Sequence, residues 1–326
     1  MSGFSPEQLP IVVSSNDLAR AARLLVIRSQ REATGLFAGN YASAFRGSGL
    51  EFEESRPYVA GDDIRTLDWN ATARTGQPFV KRFREERNQT LLFGLDVSAS
   101  MRFGTTGHAK AATAVHALAL IAAASGRAGD SSGLVSFDSQ VRGQVPVGRG
   151  MAHTWSLIRL AVSTASASRG TTRLESGLRA LRVQTRQRSI VILFSDFRDE
   201  ALLPSQTPSA EAALITGLRS ELTRLARVHD VIAAVLVDPR EIELPKVGMI
   251  RVEDPERPGA AWILNTGSRR ARARYRDACE AARQRLETEF RRSGVETIWL
   301  RTDRSPLYSL GRFFRERANR RSPAAA

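Results

Sequence analysis

The sequence predicts an α/β fold: a doubly wound, mostly parallel sheet with a small β-rich subdomain attached. Three observations lead there. LLFGLDV (91–97), GLVSF (133–137), SIVILFSDF (189–197) and VIAAVLVD (231–238) are short, almost unbroken apolar runs, the pattern of strands covered on both faces. Helical periods separate them, as the crossovers between parallel strands require. Residues 241–267 break that rhythm with Pro, Gly and short β-like pieces, which reads as an insertion.

In chain order, residues 1–36 form an N-terminal helical segment, a polar start followed by a helix with Leu18, Ala21, Ala22, Leu25 and Ile27 on its apolar side. Residues 37–89 form a β-rich segment. Phe37 to Gly49 is small and polar, a flexible loop by composition, and 50–90 reads as short strands and turns punctuated by Gly61-Asp62 and Gly76. Residues 90–240 form the first part of the sheet domain. Its first helix, HAKAATAVHALALIAAA (108–124), is apolar nearly all round, which suits a helix covered on most sides. QVRGQVPV (140–147) alternates like a strand, and 151–165, 174–185 and 209–228 read as helices. Residues 241–267 read as a hairpin packed with 37–89, since neither piece is long enough to bury its own core. Residues 268–320 close the sheet domain. A helix at 269–292 carries Tyr275, Ala278, Ala282, Leu286 and Phe290 as an apolar stripe, VETIWLR (295–301) is the last strand, and a short helix follows. Residues 321–326 read as a disordered tail.

Composition narrows the function classes. The 326 residues are 42% hydrophobic and 25% charged, ordinary globular usage that excludes wholesale disorder and fibrous repeats. No apolar run reaches the roughly 18 residues of a membrane span, and the N-terminus lacks the basic head and long apolar core of a secretory signal. One cysteine, Cys279, excludes an internal disulfide and a cysteine-based zinc site. A reducing, cytoplasmic setting follows as the expectation. The net charge is +14, and only Lys81, Lys110 and Lys246 of the 48 basic residues are lysine. From Ser268 to Arg321 there are 16 basic and 7 acidic residues. That imbalance points either to a solvated arginine-biased surface or to an anionic partner.

The first strand ends in Asp96-Val97-Ser98-Ala99-Ser100. Alternate residues of an extended segment point the same way, so one carboxylate and two hydroxyls can converge. Gly170-Thr171-Thr172-Arg173-Leu174 opens a helix and offers further hydroxyls, and the strand at 189–195 ends in Ser195-Asp196. In a doubly wound sheet the ligand crevice lies at the carboxyl ends of the strands, where the winding reverses. With strand order 3-2-1-4-5-6, Asp96 and Asp196 line one crevice and the loop at 170–172 closes its side. Two carboxylates with Ser and Thr hydroxyls make an all-oxygen shell suited to Mg²⁺, or Mn²⁺ in its place. With so little negative charge and no histidine, such a metal stays electrophilic and can take a carboxylate from another molecule.

Asp96, Ser98, Ser100, Thr172 and Asp196 resemble the metal-ion-dependent adhesion site of von Willebrand factor A domains. Thr172 is preferred over Thr171 because the spacing Thr172, Leu174, Leu178 matches that family's loop and following helix, although Arg173 stands where the family often has Asp or Asn. A narrower resemblance rests on Phe52-Glu53-Glu54-Ser55-Arg56-Pro57-Tyr58-Val59-Ala60-Gly61-Asp62-Asp63-Ile64-Arg65, then Leu67-Asp68-Trp69-Asn70, Ala73-Arg74, Val80-Lys81, Glu85-Glu86-Arg87, Asp238-Pro239-Arg240-Glu241 and Gly248. From about residue 45 to 315 the chain resembles bacterial domain-of-unknown-function family 58. The resemblance implies a von Willebrand factor A-like sheet domain and, as partner, a MoxR-type AAA+ ATPase and its protein client. It also implies a non-catalytic docking role in chaperone-like assembly or maturation of complexes.

Other residues invite plainer readings. Asp62, Asp63 and Asp68 would form either a nuclease-like metal cluster or, preferably, a salt-bridged subdomain with Arg56, Arg65 and Arg74. His116, in an apolar helix, is expected as a packed core histidine, and Cys279 as buried and inert. Trp69, Trp155, Trp262 and Trp299 are expected in the core. No G-x-x-x-x-G-K-[ST] and no G-x-S-x-G occur, against a P-loop nucleotidase and an α/β-hydrolase. Two function classes remain: a Mg²⁺-dependent protein-docking module, and a Mg²⁺-dependent hydrolase or binding protein acting on nucleic acid.

Overall fold

A computed structural model describes residues 15–45, 50–85, 89–105, 108–167, 170–198, 208–253, 255, 259 and 261–321. The polar start at 1–14 and the tail at 322–326 lie outside the described residues. The apolar runs form β3 (Thr90–Asp96), β4 (Ser131–Phe137), β6 (Ile190–Ser195), β7 (Asp230–Val237) and β10 (Glu296–Arg301). With β5 (Val141–Gly148) they make one six-stranded sheet of order β10-β7-β6-β3-β4-β5. All its ladders are parallel except β4–β5. Numbered within the sheet, this is the 3-2-1-4-5-6 order expected from the sequence, with an antiparallel edge strand.

Both faces of the sheet are covered, which is why its central strands show no alternation. Leu91, Phe93, Leu95, Ile192, Phe194 and Ala234 face one core. That core includes residues of α1 (Ser15–Glu32), α2 (Leu36–Ala44), α4 (Lys110–Ala128), α5 (Met151–Ala167) and α9 (Pro306–Arg321). Leu92, Val135, Val191, Leu193 and Ala233 face the other, under α6 (Leu174–Gln184), α7 (Pro208–Val228) and the end of α8 (Arg269–Ser293). Helix α6 lies low on the sheet because Gly177 presents no side chain. A Cβ there would come within 2.4 Å of the Phe137 ring.

Helix α4 packs on the sheet beneath it and against α1, α2, α5 and α9. That double covering accounts for its all-round apolar sequence. By length and composition it could cross a bilayer, yet 72% of the stretch is buried inside the protein. His116, on this helix, is half-buried with Nε2 3.1 Å from Glu32 Oε2.

The composition of 37–44 misleads: these residues are helical, not a loop. Phe37, Tyr41, Ala44 and Phe45 recur at helical spacing and are buried, so tertiary packing outweighs the small polar residues between them. The rings of Phe37, Tyr41 and Phe45 surround Phe314 of α9, with centroids 5.7, 6.0 and 5.0 Å away. Beneath them lies Arg317, fully buried. It donates to Glu296 Oε1 at 2.6 Å and to Asp230 Oδ2, and its guanidinium sits 5.3 Å from the centre of the Phe45 ring. One side chain thus joins α9, β10, β7 and α2.

The segment at 50–85 is a ribbon of β1 (Leu50–Pro57) and β2 (Phe79–Glu85), joined by a short α3 (Trp69–Thr75). The insertion forms the expected hairpin, β8 (Met249–Glu253) with β9 (Ala261–Asn265). Among the described residues the two ribbons share no strand pairing. Trp69 and Trp262, expected in the core, are 70% and 57% exposed: each sits on or beside a two-stranded ribbon, which offers no second layer to bury it. Trp155 and Trp299 do pack against the cores. The predicted stripe of α8 is buried only at its end, at Phe290, while Ala278 and Ala282 are exposed. Cys279 is half-buried rather than buried, and desolvation pushes its thiol up.

Replacing Arg317 removes the buried cation that ties Asp230 to Glu296, a loss that costs about 3 kcal/mol when one partner of a buried pair is removed. Arg317→Met should therefore shift the urea unfolding midpoint down by that equivalent, with the far-ultraviolet circular dichroism of the folded state unchanged.

Candidate functional site

The site forms where β3 and β6 lie side by side at their carboxyl ends. From β3 the chain connects through α4 to β4 on one side. From α6, on the opposite face, it enters β6 on the other side. The crevice between β3 and β6 is therefore the switch point of the sheet.

Asp96 ends β3 and is fully buried. Its Oδ1 accepts the Ser98 amide at 2.9 Å and its Oδ2 the Ser195 hydroxyl at 2.5 Å. The next turn, a short 3-10 helix at Ala99–Arg102, points the two serines inward. Ser98 Oγ and Ser100 Oγ are 3.2 Å apart, and Thr172 Oγ1 donates to Ser98 Oγ at 2.9 Å. Thr172 is buried and Thr171 exposed. The two loops are stitched together by the Ala99 amide, which donates to the Gly170 carbonyl at 2.8 Å.

Asp196 follows β6. The chain turns sharply after it, because Phe197 adopts a left-handed φ of 53°, a strained conformation for a bulky residue. Two contacts hold Phe197 there: its amide donates to Ser195 Oγ at 2.8 Å, and its ring packs edge-on against Phe290, with centroids 4.8 Å apart. Ser195 thus fixes both acids, bonding to one carboxylate and to the turn that carries the other.

The structure brings all five predicted residues, Asp96, Ser98, Ser100, Thr172 and Asp196, into one buried cluster. Burial, and then the charge of Asp196, push the Asp96 carboxyl up to about 7, against the donors Ser195 and Ser98. Burial pulls Asp196 the same way, but Lys110 and Arg198 outweigh it and hold that carboxyl below the ordinary range, with help from Ser100.

Lys110, the first residue of α4, is the member of the site that sequence reasoning missed. It is completely buried. Its ammonium donates to Asp196 Oδ2 and, at 2.8 Å, to Glu241 Oε1. Glu241 belongs to a turn at Pro239–Glu241 capped by Asp238 and is also paired with Arg198 at 3.2 Å. Asp238 is itself buried and accepts from Thr105 Oγ1 at 2.5 Å and Thr302 Oγ1 at 2.8 Å. The available signal was a lysine opening a helix that stays nearly all apolar until Arg127 in its last turn. Ser195 and Glu241 stood in quoted motifs without a role.

The donor set fits a hard divalent cation. Five oxygen-bearing side chains converge, and a buried carboxylate sits beside a second one, a placement that favours added positive charge. The shell is charge-poor: among the described residues, no group of three or more His, Cys, Asp or Glu gathers for a metal. The acids at 62–68 have other work. Asp62 forms a two-point pair with Arg56 at 2.7 and 2.8 Å. Asp63 caps the turn at 64–66, and Asp68 caps α3 while accepting from Ser55 Oγ at 2.6 Å.

The loop geometry has one tight point. A Cβ at Gly170 would stand 2.4 Å from Asp138 Oδ2, and that carboxylate is held by the Gln140 amide and Arg142. Gly170→Ala should displace the loop that carries Thr172 and lower stability by about 1–3 kcal/mol as overpacking does, read as a lower urea unfolding midpoint.

The family described as "protein of unknown function DUF58" matches residues 54–285 of this chain. An uncharacterized protein of Mycobacterium bovis is 31% identical over 322 residues, covering 98% of this chain and 95% of the relative, and an uncharacterized protein of Mycobacterium tuberculosis matches with the same figures. Among solved structures, an aerotolerance-related membrane protein from Bacteroides fragilis aligns with a TM-score of 0.43 and 13% identity, over 72% of this chain and 100% of that one. With a match across most of its length and relatives alike from end to end, the chain belongs to the DUF58 family.

Proposed function

We propose that this protein is a non-catalytic, metal-dependent docking module whose sheet domain is of the von Willebrand factor A kind. Mg²⁺, or Mn²⁺ in its place, would be held by Asp96, Ser98, Ser100, Thr172 and Asp196, and when bound would supply an open electrophilic position for a partner's Asp or Glu. The observation that carries the reading is the convergence of these five oxygen-bearing side chains at the switch point, with two carboxylates and three hydroxyls but no histidine. The chain's own residues set the geometry. Ser195 fixes the orientation of Asp96, the Ala99–Gly170 bond holds the two hydroxyl loops in register, and Phe197 turns the backbone so that Asp196 stays at the crevice.

The partner we propose is a MoxR-type AAA+ ATPase with its protein client, in assembly or maturation of complexes, in the cytoplasm. The Arg-rich stretch at 268–321 supports attraction to an acidic surface: Arg269, Arg270, Arg274 and Arg276, in the first turns of α8, are all exposed. Such charge raises association rate more than it sets specificity. The hydrolase reading loses its acidic cluster, because Asp62, Asp63 and Asp68 serve as an ion-pair partner and caps.

Asp96→Asn keeps the shape of the site while removing one buried charge. Its metal-free melting temperature should hold or rise, since the carboxylate is buried beside another, and Mg²⁺ binding by calorimetry should be lost. Capture of a MoxR-type ATPase should fall with EDTA for the wild type, and separately with salt because surface charges are screened over about 8–10 Å. The variant should keep only the salt-sensitive part. Equal capture with EDTA, and equal capture by Asp96→Asn, would sink the docking reading.

A further inference from the structure

Lys110 stands where a charge is expensive. It opens a helix that is buried on almost every side, and its side chain is sealed from solvent. The backbone holds its root in place: the Lys110 amide donates to the Phe103 carbonyl at 2.9 Å, and the ammonium lies 5.8 Å from the centre of the Phe103 ring. The ammonium touches two carboxylates on different elements, Asp196 at the end of β6 and Glu241 in the turn after β7. Asp196 belongs to the oxygen cluster; Glu241 does not. Arg198 repeats the pattern more loosely, 4.0 Å from Asp196 and 3.2 Å from Glu241.

We propose that Lys110 is a tethered cation that competes with a divalent ion for Asp196, and that Glu241 is the group onto which its ammonium retires when the ion binds. The proposal rests on the metal-docking reading above. A carboxylate whose Oδ2 is taken by an ammonium has given up donor capacity, and a fixed positive charge in contact with a ligand opposes a second, doubly charged cation beside it. A lysine ammonium on a four-carbon stem can pivot without moving its backbone, and a second acceptor waits at 2.8 Å. Lys110 is therefore a positioning and affinity-setting residue, not a ligand. Its movement also reaches the Asp238–Glu241 capping box, where Glu241 Oε2 accepts the Asp238 amide at 3.0 Å, and through Arg240, whose carbonyl accepts from Tyr275 at 3.0 Å, the arginine-rich helix α8. Metal occupancy and the set of that turn are linked through one side chain.

The test is Mn²⁺ binding by the full-length protein, read as free Mn²⁺ by electron paramagnetic resonance, with hydrogen exchange of the 238–243 segment measured in parallel. Lys110→Met should bind Mn²⁺ at least tenfold more tightly than wild type. In wild type, Mn²⁺ should change protection at 238–243; in Lys110→Met it should not, because the coupling side chain is gone. Should Lys110→Met fail to fold, Glu241→Gln serves as the second variant. It removes the retreat position and should weaken Mn²⁺ binding at least threefold. Binding by Lys110→Met where wild type shows none upholds the competition and overturns metal docking by the native protein. Binding by both with equal affinity, or weaker in Lys110→Met, overturns the competition and leaves the docking reading standing. No binding by either at millimolar Mn²⁺ overturns both. Unchanged affinity in Glu241→Gln overturns the retreat onto Glu241 and leaves the docking reading standing.

Discussion

Two carboxylates, Asp96 and Asp196, are buried at the carboxyl ends of neighbouring parallel strands, and much of the surrounding structure answers the cost of that burial. A buried charge needs hydrogen bonds and a counter-charge. Asp96 is given the first by the Ser98 amide and the Ser195 hydroxyl. Asp196 is given the second by Lys110 and Arg198. The asymmetry leaves Asp96 as the group raised by burial and its neighbour's charge, with only the Ser195 and Ser98 donors against it, while Ser100 adds to the bases that hold Asp196 down.

Around this pair the layers are arranged in order of depth. The six-stranded sheet places the acids, α4 lies across one face and brings Lys110 to them, and α1 and α2 cover α4 from outside. That third layer explains how a helix nearly without polar residues stays inside the protein. The outer cover is held in turn by the aromatic cluster around Phe314 and by Arg317, whose guanidinium ties the last helix to the sheet. Stability and site geometry are thus connected through α4, which is packed by one set of residues and carries the key cation on another. The ribbons at 50–85 and 249–265 stand apart from this logic. Their tryptophans face solvent because two strands offer nothing to cover them.

Much of this was legible in the residues themselves. Unbroken apolar runs separated by helical periods led to a parallel sheet, and the reversal of winding at a central strand led to the crevice where Asp96 and Asp196 meet. Local spacing sufficed because alternation along an extended segment sets which side chains share a side. Thr172 was preferred over Thr171 on a different ground, the resemblance of its spacing with Leu174 and Leu178 to a family's loop and helix, and it is the buried one of the two. Residues 37–45 read as a loop because small and polar residues separate Phe37, Tyr41, Ala44 and Phe45, and only their partners on α9 show why those four decide the outcome.

By its order of residues alone the chain determined the strands, the mostly parallel sheet and the placing of Asp96 and Asp196 at strand ends, since these follow from short-range pattern and the handedness of crossovers. Only the tertiary structure decided what balances the charge at that meeting point. Lys110 is 86 positions from Asp196 and 131 from Glu241, and no periodicity connects them. Electrostatic pairing in a buried space depends on distances across the fold rather than along the chain, so a lone lysine at the start of an apolar helix shows its purpose only when the helix is laid on the sheet.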